Sequence, residues 1–378
     1  MFQVKIVVAP DSFKGSLSSL EVANVMEKSI ATFNQAYDVI KKPMADGGEG
    51  MLDCLSESIQ MSEVIVRCTG PLGRKINASY KVTEQGVAFI EVAQICGLTL
   101  VPANERNPEE TTTYGVGEVI LDAINRGCQT MIIGLGGSAT NDAGLGMLQA
   151  LGVRAYDDVG QRLNFLGRDI FKVNDLDVNH LDNRLKQIKI KVASDVKNPL
   201  CGESGATYVF GRQKGATEEQ IETFDQSINH FRAIAEREFK KRVSDKEGAG
   251  AAGGLGFALL LVGASITSGA QLIAEAIDLE RAIKQADFVF TGEGKSDEQT
   301  FYGKAPSYVA SLGKKYNVPV ILLSGSVPID GEELSSMFSG CFSILNEPLS
   351  LEESMSQVKH LLSSQMKNIL HLLQSIDG

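Results

Sequence analysis

Several short segments of this chain crowd glycine, hydroxyl, carboxylate and lysine side chains into a few positions. One holds Asp11, Ser12, Lys14 and Ser16, another Asp46, Gly47, Gly48 and Glu49, and a third Gly292, Glu293, Gly294, Lys295, Ser296 and Asp297. Gly136, Gly137, Ser138, Thr140, Asn141 and Asp142 stand ahead of a helical GLGMLQAL run, while Ser194, Asp195, Lys197 and Asn198 precede Pro199. Glycine lets the backbone approach a ligand closely. A glycine-rich turn ahead of a helix offers N–H groups and the positive dipole end to a phosphate. Asp195 at a strand end suits a metal ligand or a proton acceptor. Each segment also has a plain structural explanation. Thr140, Asn141 and Asp142 are good helix caps, and Asp195 can simply make a turn before Pro199. Three strand-end loops with the same chemistry nevertheless favour a site.

Other chemistries are excluded more firmly. The four histidines (His180, His230, His360, His371) lie away from the glycine-rich loops, so histidine-dependent catalysis is disfavoured. Six scattered cysteines, with no C-x-x-C pair, support neither a disulfide framework nor a zinc site and fit a reducing compartment. The balance of 36 − 47 = −11 charges, with no basic cluster, argues against nucleic acid as a partner. Two motif look-alikes fail on context. Residues 248–253 match G-x-G-x-x-G but follow a charged stretch instead of a strand, and Val289 stands where a P-loop ending at Gly294-Lys295-Ser296 needs glycine.

The elements that must position these loops follow from periodicity. Residues 4–9 and 38–41 predict strands, with a helix between them whose start carries a Ser18/Glu21 capping box. Residues 287–290, 318–323 and 342–345 predict three more, separated by helical stretches at 304–315 and 330–339, with a last amphipathic helix over 351–375. Two early and three late strands predict an α/β chain with a flavodoxin-like five-stranded parallel sheet in order 2-1-3-4-5. Residues 1–66 and 284–378 would form it. A second α/β domain with a mixed sheet would be inserted at 67–283, with strands near 64–68, 78–83, 87–92, 131–135, 189–193 and 206–210. Two sequential domains are the alternative. Ligands of such sheets bind where strand order reverses, here between the loops at 10–16 and 291–297, and the expected active site is the cleft between the domains. The charge-free run 248–274 is too rich in glycine and hydroxyls for a membrane span and reads as a loop entering a buried helix. The expected location is the cytoplasm, with no membrane partner.

Taken together, these segments resemble the bacterial glycerate kinases that stand apart from P-loop and sugar kinases (type I). The matching stretches are APDSFKGSLS (9–18), MADGGEG (44–50), GGSATNDAGLG (136–146), SDVKNPLCG (194–202), GAGAAGGLG (248–256) and TGEGKSDEQT (291–300), followed by Gly303, Lys304, Ala305 and Pro306. They keep a consistent order over nearly the whole chain. Two departures stand out: Ala143 where glycine is expected, and Ser307-Tyr308 where a small residue is usual. The resemblance implies ATP- and Mg²⁺-dependent phosphorylation of D-glycerate, with 2-phosphoglycerate favoured over 3-phosphoglycerate.

The loop chemistry agrees with that implication. Mg²⁺ takes one or two carboxylates plus phosphate oxygens, and Asp195, Glu293 and Asp297 are the expected ligands, with Asp46 and Glu49 in reserve. Asp195 and Lys14 are the expected catalytic groups. Substrate and phosphate binding is expected from Asp11, Ser12, Lys14, Asp46, Gly47 and Gly48, from Gly136, Gly137, Ser138, Thr140, Asn141, Asp142 and Asn198, and from Gly292, Gly294 and Lys295. Two rivals remain at this level. Residues 134–140 look superficially like the phosphate loop of GHMP-type metabolite kinases, and a non-catalytic two-domain binder of small acids would also want lysines and hydroxyls. That second rival has less use for so many carboxylates.

Overall fold

The computed structural model describes residues 4–45, 50–296, 304–328 and 332–376. The chain forms two units: Met1–Asp46, Asp53–Ile59 and Ser268–Gly378 make the first, and Gly47–Leu52 with Gln60–Thr267 the second.

The sheet of the first unit is parallel throughout. Its strands, in chain order, are Lys5–Val8, Asp38–Lys41, Phe288–Lys295, Val320–Ser326 and Gly340–Ser343, and their spatial order is 2-1-3-4-5. Ile6 stands between Val39 and Phe288, so the strand expected at 287–290 neighbours the first strand. Strands buried on both faces read as continuous apolar runs, which is why residues 5–8 were legible. Helix Ser19–Phe33 starts at the expected cap: the Ser18 side chain accepts from the Glu21 N–H, and the Glu21 carboxylate accepts from the Ser18 N–H. Its Val22, Met26 and Ile30 pack with Leu362, Met366 and Ile369 of helix Val358–Ile376 over Ile6, Val8 and Phe290.

Two expectations are corrected here. Thr291 to Lys295 are not a loop: the third strand continues through them, paired Gly292 to Leu323, Glu293 to Ser324 and Lys295 to Ser326. Glycine permits this close pairing, because a Cβ on Gly325 would stand 2.4 Å from the Gly294 carbonyl oxygen. The C-terminal amphipathic stretch is also two helices, Leu351–Ser356 and Val358–Ile376. A capping box at Ser350/Glu353 starts the first, which leaves Leu351 largely exposed while Val358 turns into the core.

The second unit holds a six-stranded mixed sheet. Ser265–Thr267, Lys189–Ala193, Thr130–Gly134 and Val87–Glu91 run parallel, and Lys75–Val82 and Ser62–Thr69 complete it as antiparallel neighbours. Ile90, Ile133, Ile190 and Val192 join one apolar core with Val116, Ile120, Phe224 and Phe257 from the surrounding helices. The strand expected at 206–210 is instead helix Ala206–Phe210. Its β-branched and aromatic residues suggested a strand, but burial of adjacent Ala206 and Thr207 opposite exposed Val209 is a helical stripe. The charge-free 248–274 run divides into a kinked buried helix (Ala251–Leu261), the short strand Ser265–Thr267 and the start of helix Gly269–Ala276. Among the described residues no helix is long and apolar enough to cross a membrane.

Candidate active site

A cavity of about 540 Å³ lies at the carboxyl ends of the first, third, fourth and fifth strands of the first unit. Three hydrogen bonds fasten the loop after the first strand to the third strand. The Ala9 N–H donates to the Phe290 carbonyl at 2.8 Å, the Asp11 N–H to Gly292 at 2.8 Å, and the Thr291 hydroxyl to the Ala9 carbonyl at 2.8 Å. These bonds set Asp11, Ser12 and Lys14 beside Glu293, Gly294 and Lys295 on the cavity wall. Glu293 is buried. One of its oxygens accepts from the Ser296 hydroxyl at 2.9 Å, and the other stands 3.7 Å from the Lys304 ammonium. Ser326 adds a hydroxyl from the fourth strand, and Ile344, Leu345, Leu351, Met355 and Val358 add apolar side chains to the lining.

The structure therefore gathers six of the residues expected from sequence into one cavity. Gly292 lies within the third strand and does not line the cavity. Asp46, Gly47, Gly48, Glu49 and Asp297 lie outside the described residues. Sequence reasoning missed the apolar side altogether. Lys304 stands in the sequence within the Gly303–Pro306 match, and a lysine just ahead of Ala305-Pro306 at a helix start is the signal that could have marked it.

The second unit presents its own cluster, after the adjacent parallel strands Thr130–Gly134 and Lys189–Ala193. Asp142 is fully buried beneath the glycine-rich loop. It accepts hydrogen bonds from the Thr113 N–H at 2.9 Å, the Thr113 hydroxyl at 2.8 Å, the Gly144 N–H at 3.1 Å and the Gly146 N–H at 3.3 Å. Burial pushes its carboxyl pKa up, and these donors pull it back. Asn141 donates to the Thr207 hydroxyl at 3.0 Å. Lys214, absent from the sequence-based expectations, is buried with its ammonium 2.7 Å from the Thr140 carbonyl and 3.1 Å from the Ser138 hydroxyl. The 248–256 segment braces this loop: a Cβ on Gly253 would stand 2.0 Å from the Thr140 carbonyl oxygen. Asp195 and Asn198 follow the neighbouring strand, where the Asn198 amide donates to the Ser204 carbonyl at 2.8 Å.

Among the described residues no three His, Cys, Asp or Glu side chains form a ready metal cage. Asp11 and Glu293 both line the cavity of the first unit.

A discontinuous flavodoxin-like sheet, an inserted mixed-sheet unit and lysine- and carboxylate-bearing strand ends define an α/β enzyme class suited to phosphoryl groups. A family model described as the glycerate kinase family matches residues 6–374. The chain is 42% identical over 372 residues to the glycerate kinase of Halalkalibacterium halodurans, covering 96% of this chain and 97% of that one. It is 44% identical over 354 residues to the glycerate 2-kinase of Escherichia coli K12, covering 93% of each. The crystal structure of a Salmonella typhimurium LT2 chain assigned to glycerate kinase 2 superposes with a TM-score of 0.88 at 39% identity, over 100% of both chains. The chain belongs to the glycerate kinase family and is an enzyme of that family.

Proposed function

We propose that the protein transfers the γ-phosphoryl group of ATP to the 2-hydroxyl of D-glycerate, giving 2-phosphoglycerate and ADP. The observation that carries this reading is the near-full-length similarity to curated glycerate kinases, one of which is a glycerate 2-kinase. Phosphoryl transfer needs positioning and charge stabilisation more than a reactive nucleophile, which suits loops without histidine. Lys14, Lys295 and Lys304 supply positive charge at the cavity of the first unit. Glu293, with Asp11 beside it, would hold Mg²⁺, which when bound neutralises charge building on the phosphate oxygens. Asp297 and Asp195 remain further ligand candidates. Asp195 also has the chemistry to accept the glycerate hydroxyl proton, and Gly136, Gly137 and Ser138 to seat an anionic group on a turn that Asp142 and Lys214 hold from beneath. Six free thiols fit a reducing cytoplasm.

The test is ADP release with ATP, Mg²⁺ and D-glycerate, and the expectation is glycerate-dependent turnover. Folded protein that releases no more ADP than a glycerate-free control contradicts the reading. Asp195→Asn keeps shape and one carbonyl acceptor, and as loss of a general base it lowers kcat by about 10²–10⁴. A folded variant with wild-type kcat removes Asp195 from the chemistry.

A further inference from the structure

We propose that the cavity of the first unit is the nucleotide seat, with the purine base lying on Leu345, Leu351 and Met355 and the polyphosphate running towards Lys14, Lys295 and Lys304. The proposal rests on the reading of the protein as an ATP-dependent kinase and goes beyond it by naming which unit takes which substrate.

The cavity lining is of two chemical kinds. It carries the three lysines and a set of aliphatic side chains, Leu345, Leu351 and Met355 among them. D-Glycerate is a three-carbon acid with a polar group on every carbon, so it has nothing to lay against an aliphatic wall. It needs one cation for its single carboxylate. A nucleoside triphosphate has a flat, largely apolar base at one end and three or more negative charges at the other, and it can use both kinds of lining at once. The volume of about 540 Å³ is within the roughly 300–1,000 Å³ of small-molecule pockets.

The aliphatic wall also has a property that a structural core lacks. Leu351 is 76% exposed and Met355 37% exposed, on the short helix Leu351–Ser356 that borders the cavity. Large apolar side chains held at the mouth of a charged cavity are explained by a ligand face that covers them. The Ser350/Glu353 capping box starts helix Leu351–Ser356 and sets Leu351 at its first turn.

The test uses the full chain carrying Leu351→Gln and Met355→Gln together. Both side chains are exposed, so the variant should fold with little change in Tm. Calorimetric titration with ADP should show a roughly tenfold loss of affinity, in line with withdrawing apolar contact from the base. Inorganic tripolyphosphate, which lacks a base, should bind variant and wild type alike. In turnover, KM for ATP should rise by a similar factor while KM for D-glycerate stays constant. Unchanged ADP affinity overturns the proposal, as does a rise confined to KM for D-glycerate. If the wild type binds ADP through Leu351 and Met355 yet never phosphorylates D-glycerate, the seat stands and the substrate reading fails. The two claims are therefore separable.

Discussion

Asp142 and Lys214 show how single buried groups shape the glycine-rich loop of the second unit. Asp142 spends its oxygens on Thr113, Gly144 and Gly146, so Asp142→Asn sets an NH₂ group against donors. Hydrogen bonds to a charged acceptor contribute about 1.5–3 kcal/mol each when lost, and chemical denaturation should show destabilisation of about 3 kcal/mol. Lys214 gives a pH signature. Burial lowers its ammonium pKa to about 8 from 10.5, while Cys96 and Asp142 pull it partly back up. Between those values the unfolded chain binds a proton that the folded chain does not, so the Lys214 penalty lifts as pH rises. Relative to Lys214→Met, the wild type should gain about 1–3 kcal/mol from pH 7.5 to 10. A gap that stays flat or shrinks contradicts this. Asp142 was visible in the sequence as one of a cluster of polar residues. Lys214 was not, because it lies 76 residues from Ser138 and only the fold joins them. Ala143, marked in the sequence as standing where glycine is expected, has a φ of +50°, so that departure sits at a left-handed position.

At the scale of elements, local signals carried far when their cause was local. The Ser18/Glu21 box starts helix Ser19–Phe33 where the pattern placed it, with the Ser18 oxygen 3.2 Å from the Glu21 N–H. Ser18→Ala should cost about 1 kcal/mol in denaturation and leave kcat unchanged, since Ser18 does not line the cavity. The residues at 206–210 misled because strand-forming side chains there are recruited to a helix by packing on one face. The end of the third strand misled for the opposite reason. Glycine-rich sequence suggests a loop, yet at Gly292 it allows close strand pairing, a Cβ there standing 2.2 Å from the Leu323 carbonyl oxygen, and at Gly294 it admits the Phe13–Lys14 backbone.

Across the whole molecule, the parallel sheet joins residues from both ends of the chain, and Ile6 pairs with Phe288 across the inserted unit. Its strand order was legible because alternating apolar runs and helices leave few topologies open. That order led to Asp11, Lys14, Glu293 and Lys295 as neighbours. The aliphatic side of the cavity was not legible, since Leu345, Leu351 and Met355 carry no chemical signature and read as ordinary helix-face or core residues. Only the folded chain brings them into one lining with the lysines. The proposed reaction is phosphorylation of the 2-hydroxyl of D-glycerate. A ³¹P NMR spectrum of the reaction with ATP, Mg²⁺ and D-glycerate tests it most directly. The spectrum should show a growing resonance whose proton coupling is to the single C2 hydrogen, as in 2-phosphoglycerate. A resonance coupled to the two C3 hydrogens, or no phosphomonoester signal beyond the glycerate-free control, contradicts it.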